Sequence, residues 1–292
     1  MNEHYMKVSK ITKQLLYTYL KRNNISIVNY YYNSFFQHCI EINKIKVFSH
    51  HFSNHKIEGL TITDDYGISF SYERDNSKAK QNFTLCHELG HFLLQHNGVC
   101  FTESVDNQDN LLEQEANIFS AIVLMPDIVL LSKIYYSYDS FQKVQESLEV
   151  SKQALYFRLL DLLREYFPNR ENKVKRAIEE YISMQNASIR KLFHDIKQQL
   201  IEEFNQYSPS LKTQIQDQII EQGFVSSQEL PELANQNNWK ELRESIDNLR
   251  IWLIYNKGKR VAYAWDDTKL SEQEARKKAE LKLLLMSDKI IS

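Results

Sequence analysis

The chain has 292 residues, of which 42% are hydrophobic and 25% charged, with a formal net charge of −2 at pH 7. It holds 6 Gly and 4 Pro, where average usage gives roughly 20 and 15, which argues against an all-β sandwich or barrel and against a glycine-rich phosphate loop; neither GxGxxG nor GxxxxGK occurs. The balanced charge argues against a uniformly basic nucleic-acid binder. The three cysteines, Cys39, Cys86 and Cys100, are too few and odd in number for a disulfide framework and point to a reducing compartment. The N-terminal residues lack a basic segment followed by an apolar one, and no run approaches the roughly 18 apolar residues of a membrane span. The expected location is the cytoplasm, with no membrane partner.

Taken in chain order, residues 1–48 read as helices rich in Tyr and Phe. Residues 57–73 read as a β-hairpin: Ile68, Phe70 and Tyr72 alternate after the turn Asp64-Asp65-Tyr66-Gly67. A helix is expected over 78–96, stopped by Gly98, then a loop over 99–110 and a second helix over 111–124 that ends before Pro126. Residues 141–148 and 151–164 read as two short helices with Ser151 as an N-cap. Ile189, Phe193, Ile196, Leu200 and Phe204 form one apolar stripe on a later helix. Ser208-Pro209-Ser210 breaks that pattern, and Gly223 ends the next helix. The tail reads helix, hairpin and helix, with Ser271 and Glu274 as a capping box.

Eight of the nine histidines lie at or before His96, and Trp239, Trp252 and Trp265 all lie near the C-terminus. That asymmetry predicts more than one module: 1–132, 133–168 as a helix-turn-helix-like segment, and 169–292 as a helical region with a terminal hairpin-helix module. The expected fold class is α+β, mostly helical.

The informative segment is His87-Glu88-Leu89-Gly90-His91. Residues four apart share a helical face, so His87 and His91 can direct ring nitrogens at one Zn²⁺ ion. Glu88 sits at the edge of that face, placed for a general base acting on a zinc-bound water. Chance gives roughly 0.02 occurrences of this pattern in such a composition. The apolar Leu85, Leu89, Phe92 and Leu93 predict a largely buried helix, whose histidines and glutamate then need partners. A hydrolytic zinc site needs a third protein ligand. His96, five residues beyond His91, would lie nearly opposite it on a continuing helix. Glu115 is the preferred third ligand, because the small Ala116 and Ser120 let its helix pack closely; Glu113, two residues away, is the rival. Tyr66, Tyr72 and His96 are candidate oxyanion donors, and Cys86 is expected to be a packed thiol. The strand around 67–72 is expected to be an edge that could hold an extended peptide.

These pieces are linked. The strand 67–72 leads to Phe83-Thr84-Leu85 and the two histidines; Glu115-Ala116-Asn117 with Phe119 follows, then Leu124-Met125-Pro126, and Val150-Ser151 precedes a helix with Arg158-Leu159. Over about residues 20–165 the chain resembles the ImmA/IrrE family of bacterial zinc metallopeptidases. It departs from the family pattern at Asn82, where a basic residue is usual, at Cys86, and at Ser120-Ala121; none of these removes a ligand or the base. The resemblance implies a zincin-like, gluzincin-type endopeptidase with His87, His91 and Glu115 on zinc and Glu88 as base. It also implies a cognate helix-turn-helix repressor as substrate, whose cleavage releases mobile-element or stress genes. The alternative is a DNA- or protein-binding regulator on a metallopeptidase scaffold. Lys152, Arg158 and Arg164 give 141–164 little positive charge for reading DNA. The basic clusters Lys257-Lys259-Arg260 and Arg276-Lys277-Lys278, near Tyr263 and Trp265, are diluted by Asp266, Asp267, Glu272, Glu274 and Glu280. Direct nucleic-acid binding is not favoured.

Overall fold

The computed structural model describes residues 3–51, 57–65, 67–96, 100–104, 110–207, 209–256 and 258–288. The fold is α+β, mostly helical, with two small sheets. It divides into two compact units, residues 1–208 and 209–292.

The first unit contains α1 (Glu3–Arg22), α2 (Asn33–Ile42), β1 (Lys46–His50), β2 (Ile57–Asp64), β3 (Gly67–Glu73), α3 (Lys78–Leu93), β4 (Cys100–Ser104), α4 (Leu111–Leu124) and α5 (Asp127–Leu131). A π-helical turn, Ser132–Tyr136, leads to α6 (Phe141–Leu148), α7 (Lys152–Tyr166), α8 (Glu171–Ile182) and α9 (Ala187–Gln206). The sheet order is β1-β3-β2-β4, with β1 parallel to β3 and the other pairs antiparallel. The hairpin is where the alternation predicts it. However, β3 is an inner strand, paired with β2 on one side (Leu60 with Ser71) and β1 on the other (Val47 with Phe70). It therefore has no free edge for a peptide. Among the described residues the sheet edges are β1 and β4.

One hydrophobic core runs from Leu16 to Leu200, so the expected boundaries at 132 and 168 fall inside a single unit. A buried ion network spans the same elements. Asp127, at the start of α5, binds Lys13 of α1 at 2.7 Å and Arg158 of α7. Lys13 also reaches Glu203 of α9 at 2.8 Å, and Arg158 Nε donates to the Met125 carbonyl at 3.1 Å. Burial works against the Asp127 charge, but the Lys13 and Arg158 cations outweigh it and hold the carboxyl below its usual range. Arg158, counted from sequence among the positive charges of a helix-turn-helix, is thus 2% exposed and committed to the core.

The crossing of α3 over α4 positions the site. Gly90 of α3 meets Ala116 and Phe119 of α4 so closely that an added Cβ would lie 3.1 Å from the Phe119 ring and 3.2 Å from the Ala116 Cα. Two turns earlier on α3, the Phe83 carbonyl accepts from Ser120 Oγ at 3.0 Å.

The second unit contains α10 (Leu211–Gln222), β5 (Phe224–Ser226), α11 (Trp239–Ser245), β6 (Leu249–Asn256), β7 (Lys259–Asp266) and α12 (Glu272–Asp288), with sheet order β5-β7-β6. Gly223 ends α10 at φ +68°, a left-handed position that glycine occupies without strain. Successive β7 side chains face opposite ways: Ala262 and Ala264 join one cluster, Tyr263 and Trp265 another with Ala275 and Ala279 of α12. Tyr263 and Trp265 are buried and stacked, centroids 5.5 Å apart, so they offer no open face to a base. Ser271 N donates to Glu274 Oε2 at 2.9 Å and Glu274 N to Ser271 Oγ at 3.4 Å, which is the capping box. Lys257 of the basic clusters and Ser208 of the helix break lie outside the described residues, as does Gly98.

Candidate metal centre

Ser77 caps α3, accepting from Lys80 N at 3.4 Å. Further along the same helix, His87 and His91 are each 1% exposed and Glu88 is fully buried. The Nε2 atoms of the two histidines face each other at 3.0 Å. From α4, Glu113 completes the group, with Oε2 3.0 Å from His87 Nε2 and Oε1 3.5 Å from His91 Nε2. Burial pushes the Glu113 carboxyl up, but hydrogen bonds with the His87 and His91 rings outweigh it and bring it to about 2. Asn117, one turn after Glu113, places Oδ1 2.9 Å from His87 Nδ1. An amide oxygen only accepts, so His87 donates from Nδ1, and its hydrogen bond to Glu113 in the metal-free ring takes a second proton on Nε2, the place a metal ion would occupy. A carboxylate and two imidazole nitrogens converging in a buried gap need a cation among them, either a proton or a metal ion.

The donor set fits a metal. Four-coordinate zinc with bonds of about 2.0–2.1 Å separates its ligand atoms by about 3.3 Å, close to the 3.0–3.5 Å found here. The group His87, His91 and Glu113 is buried throughout. A second grouping, His51, Glu73 and Asp75, lies at the ends of β1 and β3 with two of its members exposed.

The structure does not bring Glu115 to the histidine pair. Sequence adjacency to a small residue proves to be a poor guide to a helical face. The face of α4 packed on α3 carries Glu113, Ala116, Asn117 and Ser120, at spacings of three and four. A residue two positions from Glu113 lies about 200° around the helix. Glu115 instead accepts from His96 Nε2 at 2.6 Å and pairs with His4 Nε2 of α1 at 2.9 Å.

His96 also departs from expectation. The helix stops at Leu93 rather than continuing to 96. Gln95 takes φ +58°, Gln95 N donates to Phe92 O at 3.1 Å and His96 N to His91 O at 3.1 Å. This is a Schellman turn, which sets the residue at its exit beside the residue one turn before the helix end. It lays the His96 ring on His91, with the two Nδ1 atoms 2.8 Å apart.

Glu88 turns toward the sheet, where its Oε2 accepts from Thr61 Oγ1 of β2. Cys86 is buried, which pushes its thiol well above the usual range. Of the oxyanion candidates, Tyr72 is half-buried against the core, His96 is engaged as above, and Tyr66 lies outside the described residues. So does residues 105–109 of the expected loop, including Asp106 and Asp109.

A cavity of about 660 Å³ opens beside His87 and Glu113. Phe83 of α3, Ile118 and Ala121 of α4, and Ala154 and Phe157 of α7 give it apolar walls, with the Lys80–Glu58 ion pair also lining it. The helix-turn-helix-like segment thus supplies a wall of the cleft. Sequence reasoning missed Asn117, Thr61, His4 and Phe157 as contributors. Asn117 alone carried a signal, its four-residue spacing from Glu113.

An α+β domain holding a buried His-His-Glu cluster at the floor of a cleft has the features of a metallopeptidase-type hydrolase. Residues 40–160 match the family model of the IrrE N-terminal-like domain, Peptidase_M78. The matched stretch includes all three clustered residues and the cleft wall through Ala154 and Phe157, and the match supports a peptidase-type function for it. No curated protein matches the chain significantly. Among the described residues no single helix is long and apolar enough to cross a membrane.

Proposed function

We propose that the chain is a zinc-dependent endopeptidase of zincin-like, gluzincin-type design, in which His87, His91 and Glu113 hold the metal and Glu88 is the general base. The carrying observation is the convergence of two imidazole Nε2 atoms and one carboxylate, 3.0–3.5 Å apart, beside the cleft. When bound, the ion supplies Lewis acidity, bringing the pKa of water to about 7 and polarising a carbonyl. Glu88 takes a proton from the attacking water and passes it to the leaving amine. Thr61, hydrogen-bonded to Glu88 Oε2, fixes the carboxylate's rotamer. The cleft between α4 and α7 takes an extended segment with apolar side chains. The substrate we favour is a cognate helix-turn-helix repressor in the cytoplasm.

Elemental analysis tests the metal reading. The expected result is one zinc per chain, lost in Glu113→Ala and in His87→Ala. Wild type without zinc after reconstitution would sink it. Glu88→Gln then separates binding from chemistry: zinc is retained and cleavage of the repressor is lost. Cleavage surviving in that variant would remove Glu88 from the role of base.

A further inference from the structure

His91 is held by a directional chain of side chains that no local motif announces. His91 Nδ1 lies 2.8 Å from His96 Nδ1, His96 Nε2 lies 2.6 Å from Glu115 Oε2, and Glu115 Oε1 lies 2.9 Å from His4 Nε2. The elements that meet there are the end of α3, its Schellman turn, α4 and the start of α1.

A carboxylate only accepts hydrogen bonds. Glu115 therefore requires the proton of His96 on Nε2. In the neutral ring that leaves His96 Nδ1 as a lone pair. Facing it at 2.8 Å, His91 Nδ1 must be the donor. A neutral His91 with its proton on Nδ1 has its lone pair on Nε2, the atom that faces His87 and Glu113. Each bond direction dictates the next, and the chain ends with a lone pair aimed into the cluster. On the other histidine Asn117 does the same in one step.

We propose that His96 and Glu115 are positioning residues for the metal centre: through one fixed tautomer they orient His91 for coordination, and His4 anchors Glu115 from α1. This rests on the zinc reading above. Outer partners of metal-bound histidines fix ring orientation and tautomer, and losing one weakens metal affinity by about 10–100-fold.

The test combines chelator competition for zinc with long-range proton–nitrogen spectra of the imidazole rings. In wild type, metal-free and loaded, His96 should appear as the Nε2–H tautomer. Glu115→Leu and His96→Phe should each weaken zinc binding by about 10–100-fold. Glu115→Gln, whose amide oxygen can still accept from His96, should bind zinc close to wild type. A His96 found as its Nδ1–H tautomer overturns the proposal, as does Glu115→Leu with wild-type affinity. Complete zinc loss in Glu115→Gln, with zinc kept in Glu113→Ala, would overturn it by making Glu115 a ligand. The spectra need only the native, metal-free chain, so they judge the proposal even if a mutant fails to fold. If wild type binds no zinc, the proposed function fails while the tautomer result still stands or falls alone.

Discussion

Gly90→Ala probes the helix crossing that brings Glu113 to the histidines. The substitution has two opposing effects. Replacing glycine inside a helix gains about 1 kcal/mol from propensity. Against that, the new methyl would lie 3.1 and 3.2 Å from Phe119 and 3.2 Å from the Ala116 Cα. Neither neighbour can retreat cheaply, since Phe119 is fully buried and the Ala116 contact is backbone. Overpacking of this kind costs about 1–3 kcal/mol, so the net expectation is a destabilisation of about 0–2 kcal/mol. For a unit of this size 1 kcal/mol moves Tm by about 2–4 °C. The helices relieve the contact by moving apart, which pulls Glu113 from His87 and His91. Thermal melting of the metal-free protein and chelator competition for zinc should therefore both fall, and further in Gly90→Val. A Gly90→Ala protein that melts higher than wild type and binds zinc equally well would refute the close crossing as the device that builds the site.

Asp127→Asn should destabilise the first unit by about 3–5 kcal/mol in denaturant titration, because it leaves Lys13 and Arg158 buried without their shared anion. The folded Asp127 is held below its ordinary value of 3.8, so its contribution is full above that pH and is lost as pH falls further; Asp127→Asn should flatten the acid limb of the stability profile. Phe157→Ala should leave stability nearly unchanged, since Phe157 is 51% exposed, but on the proposed peptidase reading should alter which peptide sequences are cut, because it lines the cleft beside His87; unchanged specificity would count against the cleft as the substrate site. Cys86, whose thiol burial pushes up, should resist alkylation in the native protein and react only on unfolding.

Helix boundaries were legible where a cap announces them. Ser151 accepts from Ala154 N at 3.0 Å, and Ser271 and Glu274 close on each other as their spacing predicts. The hairpin was legible from alternation. β1 was not, because its five residues are mostly exposed and show no period of two, and that omission made β3 look like an edge. Arg158 read as a surface charge because its partners, Asp127 and the Met125 carbonyl, lie more than thirty residues away. The domain boundaries were misleading for the same reason: the Lys13–Asp127–Arg158–Glu203 network joins elements from both ends of the first unit.

The two glutamates of α4 show where local reading of a site runs out. His87 and His91 lie on one helix, so their shared face follows from spacing alone. The third group arrives on another helix, and its face depends on a crossing fixed by Gly90 and Ala116. Measured from Ala116, Glu113 is three residues back and shares that face, whereas Glu115 is its neighbour and does not. Their separation by two residues is what lets one helix serve the centre twice. Glu113 faces the histidines directly, and Glu115 reaches His91 from behind through His96. That second route exists only because α3 ends at Leu93 and Gln95 turns the chain back. A helix continued to residue 96 would have carried that ring away from His91.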